Sequence, residues 1–370
     1  MTRPARVSID LAALRHNLVR VREYAPHSKV MAIVKADAYG HGISRVAPAL
    51  AQADAFGVAC LEEARQLRQV GVEQKILLLE GPYGAAELAE IQQRRLDIVI
   101  HHRVQLELLE QAEINVPLKV WLKVDSGMHR LGFAPEDIAP VCARLLRING
   151  VAQNIRFISH LACANEPDNP LTQKQGEVFF EATQPYRAEK SLANSAALLS
   201  RPDYCLDWVR PGLMLYGVSP LDARIGTGFN LKPVMTFGSS LISVKRLRSG
   251  DPVGYGASWR CPQDMPVGVV AAGYGDGYPR HAVTGTRIQV RGKDCALIGK
   301  PSMDMMTLDL RACPDAAPGD PVLLWGDGLP VEETAIGAAT VPYEVLCGVH
   351  KRLEFVAYDQ DQSEETIPVQ

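Results

Sequence analysis

The stretch that decides the fold is VMAIVKADAYGHG, residues 30–42. Its first five residues are apolar, and the charged Lys35 follows them directly. A strand that is apolar on nearly every residue is typical of a parallel sheet, because helices cover both of its faces. Gly40 and Gly42 allow a tight return of the chain. We therefore predict a strand–helix unit, with Lys35 at the carboxyl end of its strand.

Similar apolar runs alternate with helical patterns from Asp10 to about Gly217. Leu61–Val70 and Val104–Ala112 repeat apolar residues at spacings of three and four, as amphipathic helices do. Asp10 can cap a helix that begins at the next residue. The predicted strands are Val30–Val34, Phe56–Ala59, Ile76–Leu79, Asp97–Ile100, Leu118–Val124, Ile155–Leu161, Ser191–Ala193 and a short one near Trp208.

Eight such units in about 200 residues favour a closed (β/α)8 barrel over an open, doubly wound parallel sheet. Beyond Asn230, apolar runs separated by Gly- and Pro-rich turns predict a mainly β domain. We expect a barrel domain at 1–225, whose residues 1–9 can pair with the second domain, and the β domain at 226–370. The strands predicted there are Met235–Arg246, Val267–Ala272, Arg287–Arg291, Met305–Leu310 and Val322–Trp325, with helical stretches at 331–338 and 342–348.

The composition excludes several classes of protein. The chain has 370 residues, of which 47% are hydrophobic and 22% charged, and these values are typical of a globular protein with a large core. The net charge of −3 lacks the basic excess of a nucleic-acid binder. No apolar run approaches the ~18 residues of a membrane span, and the first residues lack a signal-peptide pattern. The eight cysteines include no CxxC pair, so we expect a cytoplasmic protein without a metal site.

Residues that follow the strands of a barrel line its active site. Lys35 can anchor a phosphate there, or act as a nucleophile when it is desolvated. Lys123, Asp125 and Arg130 leave the fifth strand as a charged cluster, which a structural ion-pair network explains as well as a site does. His160 follows the sixth strand and can belong to the site. A buried histidine whose hydrogen bonds are all made within the core explains it equally well.

The last two units offer an anion cradle. Asn194 and Ser195 follow the seventh strand, and Arg210 and Gly212 follow the eighth. Barrels often bind phosphate at this place with backbone N–H groups and a hydroxyl. Together with Lys35, these residues fit pyridoxal phosphate held as a Schiff base. Other lysine–phosphate chemistry, such as that of an aldolase, fits almost as well, and the residues alone leave both open.

Nine motifs in one order resemble the alanine racemase family. They are AIVKADAYGHG, WLKVDSGMHRLGF, SHLACAN, ANSAA, WVRPGLMLYG, VGYGASW, GYGDGYPR, SMDMMTLDL and TVPYE, and they extend from about Arg3 to Tyr358. The resemblance implies an enzyme with pyridoxal 5′-phosphate as cofactor that interconverts L-alanine and D-alanine. Its product would serve as a peptidoglycan precursor, or the enzyme would degrade D-alanine.

The resemblance also implies roles for individual residues. Lys35 would bind the cofactor and serve as the base for D-alanine, and Tyr255 would serve as the base for L-alanine. Arg130 and Met303 would contact the substrate. The other residues that hold the cofactor would be Tyr39, His160, Asn194, Ser195, Arg210, Gly212, Leu213 and Tyr343. Supporting positions would be Lys123, which is N-carbamylated in many members, Tyr274 and Asp304.

In the family, Tyr255 and Met303 enter the site from the partner subunit, which implies a head-to-tail homodimer. Three alternatives stay open: an amino-acid decarboxylase of the same barrel type, a non-catalytic protein that binds the cofactor, and a racemase with broader substrates. The decarboxylases lack the Gly-Tyr-Gly motif around Tyr255, and the non-catalytic proteins lack the β domain. The sequence departs from the family at Lys300–Pro301 and at 352–355, which leaves the packing of the last strand in doubt.

Overall fold

The structure is a computed structural model that describes residues 3–222 and 224–359. Strand β1 (Arg6–Asp10) leads directly into helix α1 (Leu11–Tyr24). The carboxylate of Asp10 accepts a hydrogen bond from the N–H of Ala13 at 2.9 Å, so Asp10 caps the helix as predicted.

Eight parallel strands then close into a barrel in chain order, and the last pairs with the first. The predicted (β/α)8 barrel is confirmed, and the open sheet is excluded. Trp121 and Trp208 belong to strands that are not neighbours, and their rings meet 5.8 Å apart, so both side chains fill the barrel interior. The strands are β2 (Lys29–Ile33), β3 (Ala55–Val58), β4 (Lys75–Leu78), β5 (Asp97–Ile100), β6 (Val120–Lys123), β7 (Arg156–Ile158), β8 (Lys190–Asn194) and β9 (Trp208–Arg210).

Helices between the strands cover the barrel with their apolar faces. In α4 (Leu61–Gln69), the buried residues Leu61, Ala64 and Leu67 recur every third residue. Acidic residues in the first turn of this helix complement its dipole. The helices are α2 (Lys35–Tyr39), α3 (Ile43–Ala49), α4 (Leu61–Gln69), α5 (Ala85–Gln93), α6 (Arg103–Gln111), α7 (Ile138–Leu145), α8 (Pro170–Thr183) and α9 (Ser195–Ser200). Every helix of the described residues is too short or too polar to cross a membrane.

The second domain is mainly β, as predicted. Six of its strands form a closed ring, because β13 pairs with both β16 and β10. Strand β1 lies between β10, to which it is antiparallel, and β18, to which it is parallel. The strands are β10 (Met235–Leu247), β11 (Pro252–Val253), β12 (Trp259–Arg260), β13 (Met265–Val270), β14 (Arg287–Val290), β15 (Lys293–Ile298), β16 (Met306–Asp309), β17 (Pro321–Trp325) and β18 (Glu354–Tyr358), with helices α10 (Val331–Gly337) and α11 (Pro342–Cys347).

The structure corrects the predicted strands in two ways. The strands predicted at 118–124 and 155–161 are shorter, because the chain leaves the barrel ladder after Lys123 and after Ile158. Strand β15 was not predicted. Its hairpin turns at Arg291 and Gly292, which both adopt positive φ, without the usual Asn-Gly signature. The last strand, whose packing the sequence left in doubt, pairs with β1 along its whole length.

Candidate active site

The carboxyl ends of the barrel strands open into a cavity of about 640 Å³. Its wall combines strand-end residues with residues of α11. Eleven of the predicted site residues line it: Lys35, Tyr39, Lys123, Arg130, His160, Asn194, Ser195, Arg210, Gly212, Leu213 and Tyr343. The strand-end rule located eight of these residues, and the family resemblance supplied Tyr39, Leu213 and Tyr343.

Lys35 lies two residues after the end of β2, and the backbone becomes left-handed directly after it. The four residues Ala36–Tyr39 have φ between 52° and 55°, so they form one left-handed turn. This conformation costs roughly 1–2 kcal/mol for each residue with a Cβ, so the surroundings must hold it. The N–H of Ala36 donates to Glu63 at 2.6 Å, and the carboxylate of Asp37 accepts from the N–H of Ile43 at 2.8 Å. The turn brings both Lys35 and Tyr39 to the cavity.

Tyr39, Ser195 and Gly212 form a compact cradle of hydroxyl and N–H groups. The hydroxyl of Ser195 accepts from the N–H of Gly212 at 2.8 Å and from that of Met214 at 3.3 Å. A Cβ at Gly212 would lie 2.5 Å from the hydroxyl oxygen of Tyr39, so only glycine leaves room for that hydroxyl. The side chain of Asn194 caps α9 beside them. These donors suit a phosphate group.

Tyr343 closes one edge of the cavity. It lies in the first turn of α11, and its ring centroid is 5.7 Å from that of Tyr39. The second domain thus supplies one wall of the cavity within the same chain.

Arg210 is a buried cation at the end of β9. It donates to the hydroxyl of Ser191 at 2.6 Å and to the carbonyl of Ser159, and it has no carboxylate partner among the described residues. Burial lowers the pKa of Arg210 to about 10, so it stays charged at neutral pH. Its Nη2 lies 3.5 Å from Nδ1 of His160. Burial, and then the charge of Arg210, hold the pKa of His160 well below its ordinary value, so this imidazole is neutral.

The cavity carries an excess of positive charge. Burial, followed by the charges of Arg210, Arg130 and Lys35, lowers the pKa of Lys123 to about 8. Among the described residues that line the cavity, Glu80 supplies the only carboxylate. An excess of cations in a partly enclosed cavity favours a ligand with more than one negative charge.

Sequence reasoning missed several residues of this site. Glu80 lies two residues after β4, so applying the strand-end rule to every strand would have found it. Ser159 and Ser191 hold Arg210 in place, but a serine within or beside a buried strand carries no sequence signal of that role. Cys347 at the end of α11 also lines the cavity, and no role was predicted for it from the sequence.

The other predicted residues of the second domain do not line this cavity within residues 3–222 and 224–359. Tyr255 lies between β11 and β12 and is 71% exposed, and Met303 is 54% exposed. The N–H of Tyr274 donates to the carbonyl of Ser302 at 3.0 Å. Asp304 accepts from Arg352 at 2.8 Å. Tyr255 and Met303 therefore face outward from this chain.

One buried carboxylate ties these exposed loops together. Asp276 is fully buried and accepts hydrogen bonds from Arg3, Arg352 and the N–H of Gly273. Burial alone would raise the pKa of Asp276, but these donors outweigh it and hold the pKa below its ordinary value. Arg352 also donates to the carbonyl of Met303 at 3.4 Å. The loops that carry Tyr274 and Met303 thus share one anchor.

The comparisons with known proteins agree along nearly the whole chain. The family model described as "Alanine racemase, N-terminal domain" matches residues 9–220, and "Alanine racemase, C-terminal domain" matches residues 234–357. The chain is 52% identical over 345 residues to the alanine racemase of Nitrosococcus oceani, which covers 93% of this chain and 97% of that protein. It is 51% identical to the alanine racemase of Thioalkalivibrio sulfidiphilus over 96% of this chain and 100% of that protein.

The fold is also similar to that of a solved structure. The crystal structure of the biosynthetic alanine racemase from Pseudomonas aeruginosa superposes with a TM-score of 0.94 at 45% identity. It covers 96% of this chain and 100% of that one.

Proposed function

The chain belongs to the alanine racemase family and interconverts L-alanine and D-alanine, and from this premise we propose which of its residues perform each part of the reaction. The observation that carries the proposal is the pairing of a strand-end amine with an anion cradle in one cavity. Lys35 and the cradle of Tyr39, Ser195 and Gly212 line that cavity together.

We propose pyridoxal 5′-phosphate as the cofactor, because three features of the cavity fit it. The amine of Lys35 can bind an aldehyde covalently. The cradle offers hydroxyl and N–H donors to a phosphate, and Tyr39 can reach it only because position 212 is glycine. The buried Arg210 offers a permanent cation to the ring nitrogen and so disfavours protonation of that nitrogen. When bound, the cofactor supplies an electron sink that acidifies the α-proton of an amino acid.

We propose that Lys35 and Tyr255 are the two bases. Racemisation removes a proton from one face of the α-carbon and returns a proton to the other, so it needs a base on each face. Lys35 would hold the proton for the face of D-alanine. Tyr255 of the partner subunit would hold it for the face of L-alanine, since the tyrosine faces outward from its own chain.

His160 would support the tyrosine. Its Nδ1 faces an N–H of Arg210, so the proton of this neutral imidazole belongs on Nε2. An N–H donor directed at the oxygen of Tyr255 favours the phenolate form, because hydrogen bonding to a charged form stabilises it.

Arg130 and Met303 would bind the substrate. The guanidinium of Arg130 can pair with a carboxylate through two hydrogen bonds, and Met303 would narrow the site from the partner subunit. Lys123 would be carbamylated. With a pKa of about 8, part of its amine is neutral and can add to carbon dioxide, which releases one proton. The resulting anion would pair with Arg130.

We propose that the active enzyme is a head-to-tail homodimer and that it acts in the cytoplasm. Each chain would consist of a barrel domain at 1–225 and a β domain at 226–370. Within the described residues, Tyr255 and Met303 lie outside the cavity of their own chain, which supports a shared site. We also propose that the enzyme supplies D-alanine for peptidoglycan, since the similar Pseudomonas aeruginosa enzyme is described as biosynthetic. Rescue of a D-alanine auxotroph tests this role, and failure of rescue despite measured racemase activity would contradict it.

The first experiment is proton NMR of the protein with pyridoxal phosphate and L-alanine in heavy water, together with chiral analysis. We expect the α-proton signal to disappear while D-alanine forms. An unchanged α-proton without D-alanine would overturn the proposed mechanism. Release of carbon dioxide from an amino acid would indicate a decarboxylase.

A further inference from the structure

His41 lies behind the left-handed turn and does not line the cavity, so the proposed mechanism leaves it unused. It is fully buried, and its Nδ1 lies 2.9 Å from the carbonyl oxygen of Tyr39 and 3.0 Å from that of Ala38. Both partners only accept hydrogen bonds, so Nδ1 must carry a proton and donate it. Its Nε2 has no hydrogen-bond partner among the described residues.

The ring of His41 belongs to an aromatic stack that reaches the cradle. It stacks on Tyr216 at 4.5 Å, and Tyr216 packs against Tyr39 at 4.9 Å. The hydroxyl of Tyr216 donates to the carbonyl of Ile33 in β2 at 3.1 Å. Tyr216 also ends the short helical turn that begins directly after Gly212. The stack therefore joins the strand of Lys35, the turn and the cradle.

The left-handed turn needs partners for its carbonyl groups. The carbonyl of Ala36 accepts from the N–H of Gly40 at 3.0 Å, and that of Asp37 accepts from the N–H of Gly42 at 2.8 Å. The carbonyl of Ala38 accepts from the backbone N–H of His41 at 3.1 Å, so the side chain of His41 matters most for the carbonyl of Tyr39, which lies 2.9 Å from Nδ1. A buried carbonyl that loses its donor costs roughly 1–3 kcal/mol, which is comparable to the cost of holding one residue in the left-handed form.

We propose that His41 is a positioning residue that holds residues 36–39 in the left-handed form by donating a hydrogen bond from Nδ1–H, chiefly to the carbonyl of Tyr39. In that form, Lys35 points into the cavity while the hydroxyl of Tyr39 stays against Gly212. His41 thereby sets the spacing between the amine and the phosphate cradle. The inference rests on the proposed function, because it assigns a purpose to that spacing.

The test compares two substitutions of the same residue. His41→Asn keeps an N–H donor close to the place of Nδ1, whereas His41→Phe keeps the stacked ring and loses the donor. His27→Phe, at an exposed histidine, is the control. For each variant we would measure the dissociation constant of pyridoxal phosphate from the stripped protein, the ³¹P NMR shift of the bound phosphate, the Tm and the KM for alanine.

We expect His41→Phe to weaken cofactor binding roughly tenfold and to move the ³¹P shift, while KM at saturating cofactor stays unchanged. His41→Asn should restore most of the affinity. Equal effects of Asn and Phe, or cofactor binding by His41→Phe as tight as in the unchanged protein, would overturn the inference. A failure of the unchanged protein to bind pyridoxal phosphate would instead overturn the proposed function.

A second variant covers the case in which His41→Phe folds poorly. Glycine adopts the left-handed form without the penalty of a Cβ, so Ala36→Gly should restore part of the lost cofactor affinity when combined with His41→Phe. If the double variant binds the cofactor no better than His41→Phe, the turn is not what His41 holds, and the inference is wrong.

Discussion

Lys35 is the residue on which the cofactor assignment depends. Lys35→Ala removes the amine that would bind the aldehyde, so we expect loss of the visible absorbance of the bound cofactor and loss of racemisation. Lys174→Ala, at an exposed position of α8, is the matched control and should keep both. Absorption spectroscopy of the purified variants measures the visible band of the bound cofactor. A visible band that persists in Lys35→Ala would remove the assignment.

Tyr255 should affect the two isomers unequally. Tyr255→Phe removes the proposed base on one face only, so α-proton exchange with heavy water should slow far more for L-alanine than for D-alanine. Tyr24→Phe in α1 serves as the control. Equal losses for the two isomers, measured by proton NMR, would contradict the assignment of two bases.

His41 should make stability depend on pH. Burial lowers the pKa of His41 to about 4, whereas a histidine of the unfolded chain titrates near 6.5. Between these values the unfolded state binds more protons, so the free energy of unfolding should rise with pH, by up to about 3 kcal/mol. Urea unfolding at several pH values measures this slope. The lowered pKa of His160 contributes to the same slope, so His41→Asn should reduce the slope without removing it. An unchanged slope would show that His41 does not contribute.

At the scale of residues the sequence predicted many of the cavity residues that follow strands, though not Glu80, because position in a barrel unit fixes where such side chains point. It did not predict a role for His41. That role depends on the left-handed turn, and a sequence such as ADAY contains no glycine to indicate one.

At the scale of elements, the ion pairs of the buried Asp276 should contribute more to the free energy of unfolding than an exposed ion pair does. Asp276→Asn removes a fully buried charge from between Arg3 and Arg352, so we expect the free energy of unfolding to fall by about 3 kcal/mol. Asp203→Asn breaks an exposed ion pair with Arg201 and should change the free energy of unfolding by less than about 1 kcal/mol. Urea unfolding compares them, and equal effects would mean that Asp276 contributes no more than a surface pair.

Most barrel strands could be predicted because each buries a continuous apolar run, whereas strands of the second domain such as β14 and β16 alternate buried and partly buried residues. Strand β15 begins with Lys293 and Asp294, both exposed, so its first half carries no apolar pattern. The sequence indicated that residues 1–9 can pair with the second domain, but local patterns cannot identify the partner strands β10 and β18, which lie far along the chain.

At the scale of the molecule, the shared site predicts complementation between two inactive variants. A dimer of Lys35→Ala with Tyr255→Phe has one site that carries both defects and one that carries neither. Random exchange of subunits should therefore restore about a quarter of the activity. Activity assays after mixing under mild denaturation measure this. No recovery despite exchange, verified with tagged subunits, would place Tyr255 in the site of its own chain.

The position of β1 has a consequence for how the chain matures during synthesis. Of the described strands, β1 leaves the ribosome first, yet its two neighbours are β10 and β18, and β18 is made last. The barrel can close while translation continues, but the edge of the second sheet must wait until β18 has been made. A fragment of residues 226–370 would lack the strand that joins β18 to the sheet, so supplying residues 3–10 as a separate peptide should stabilise it.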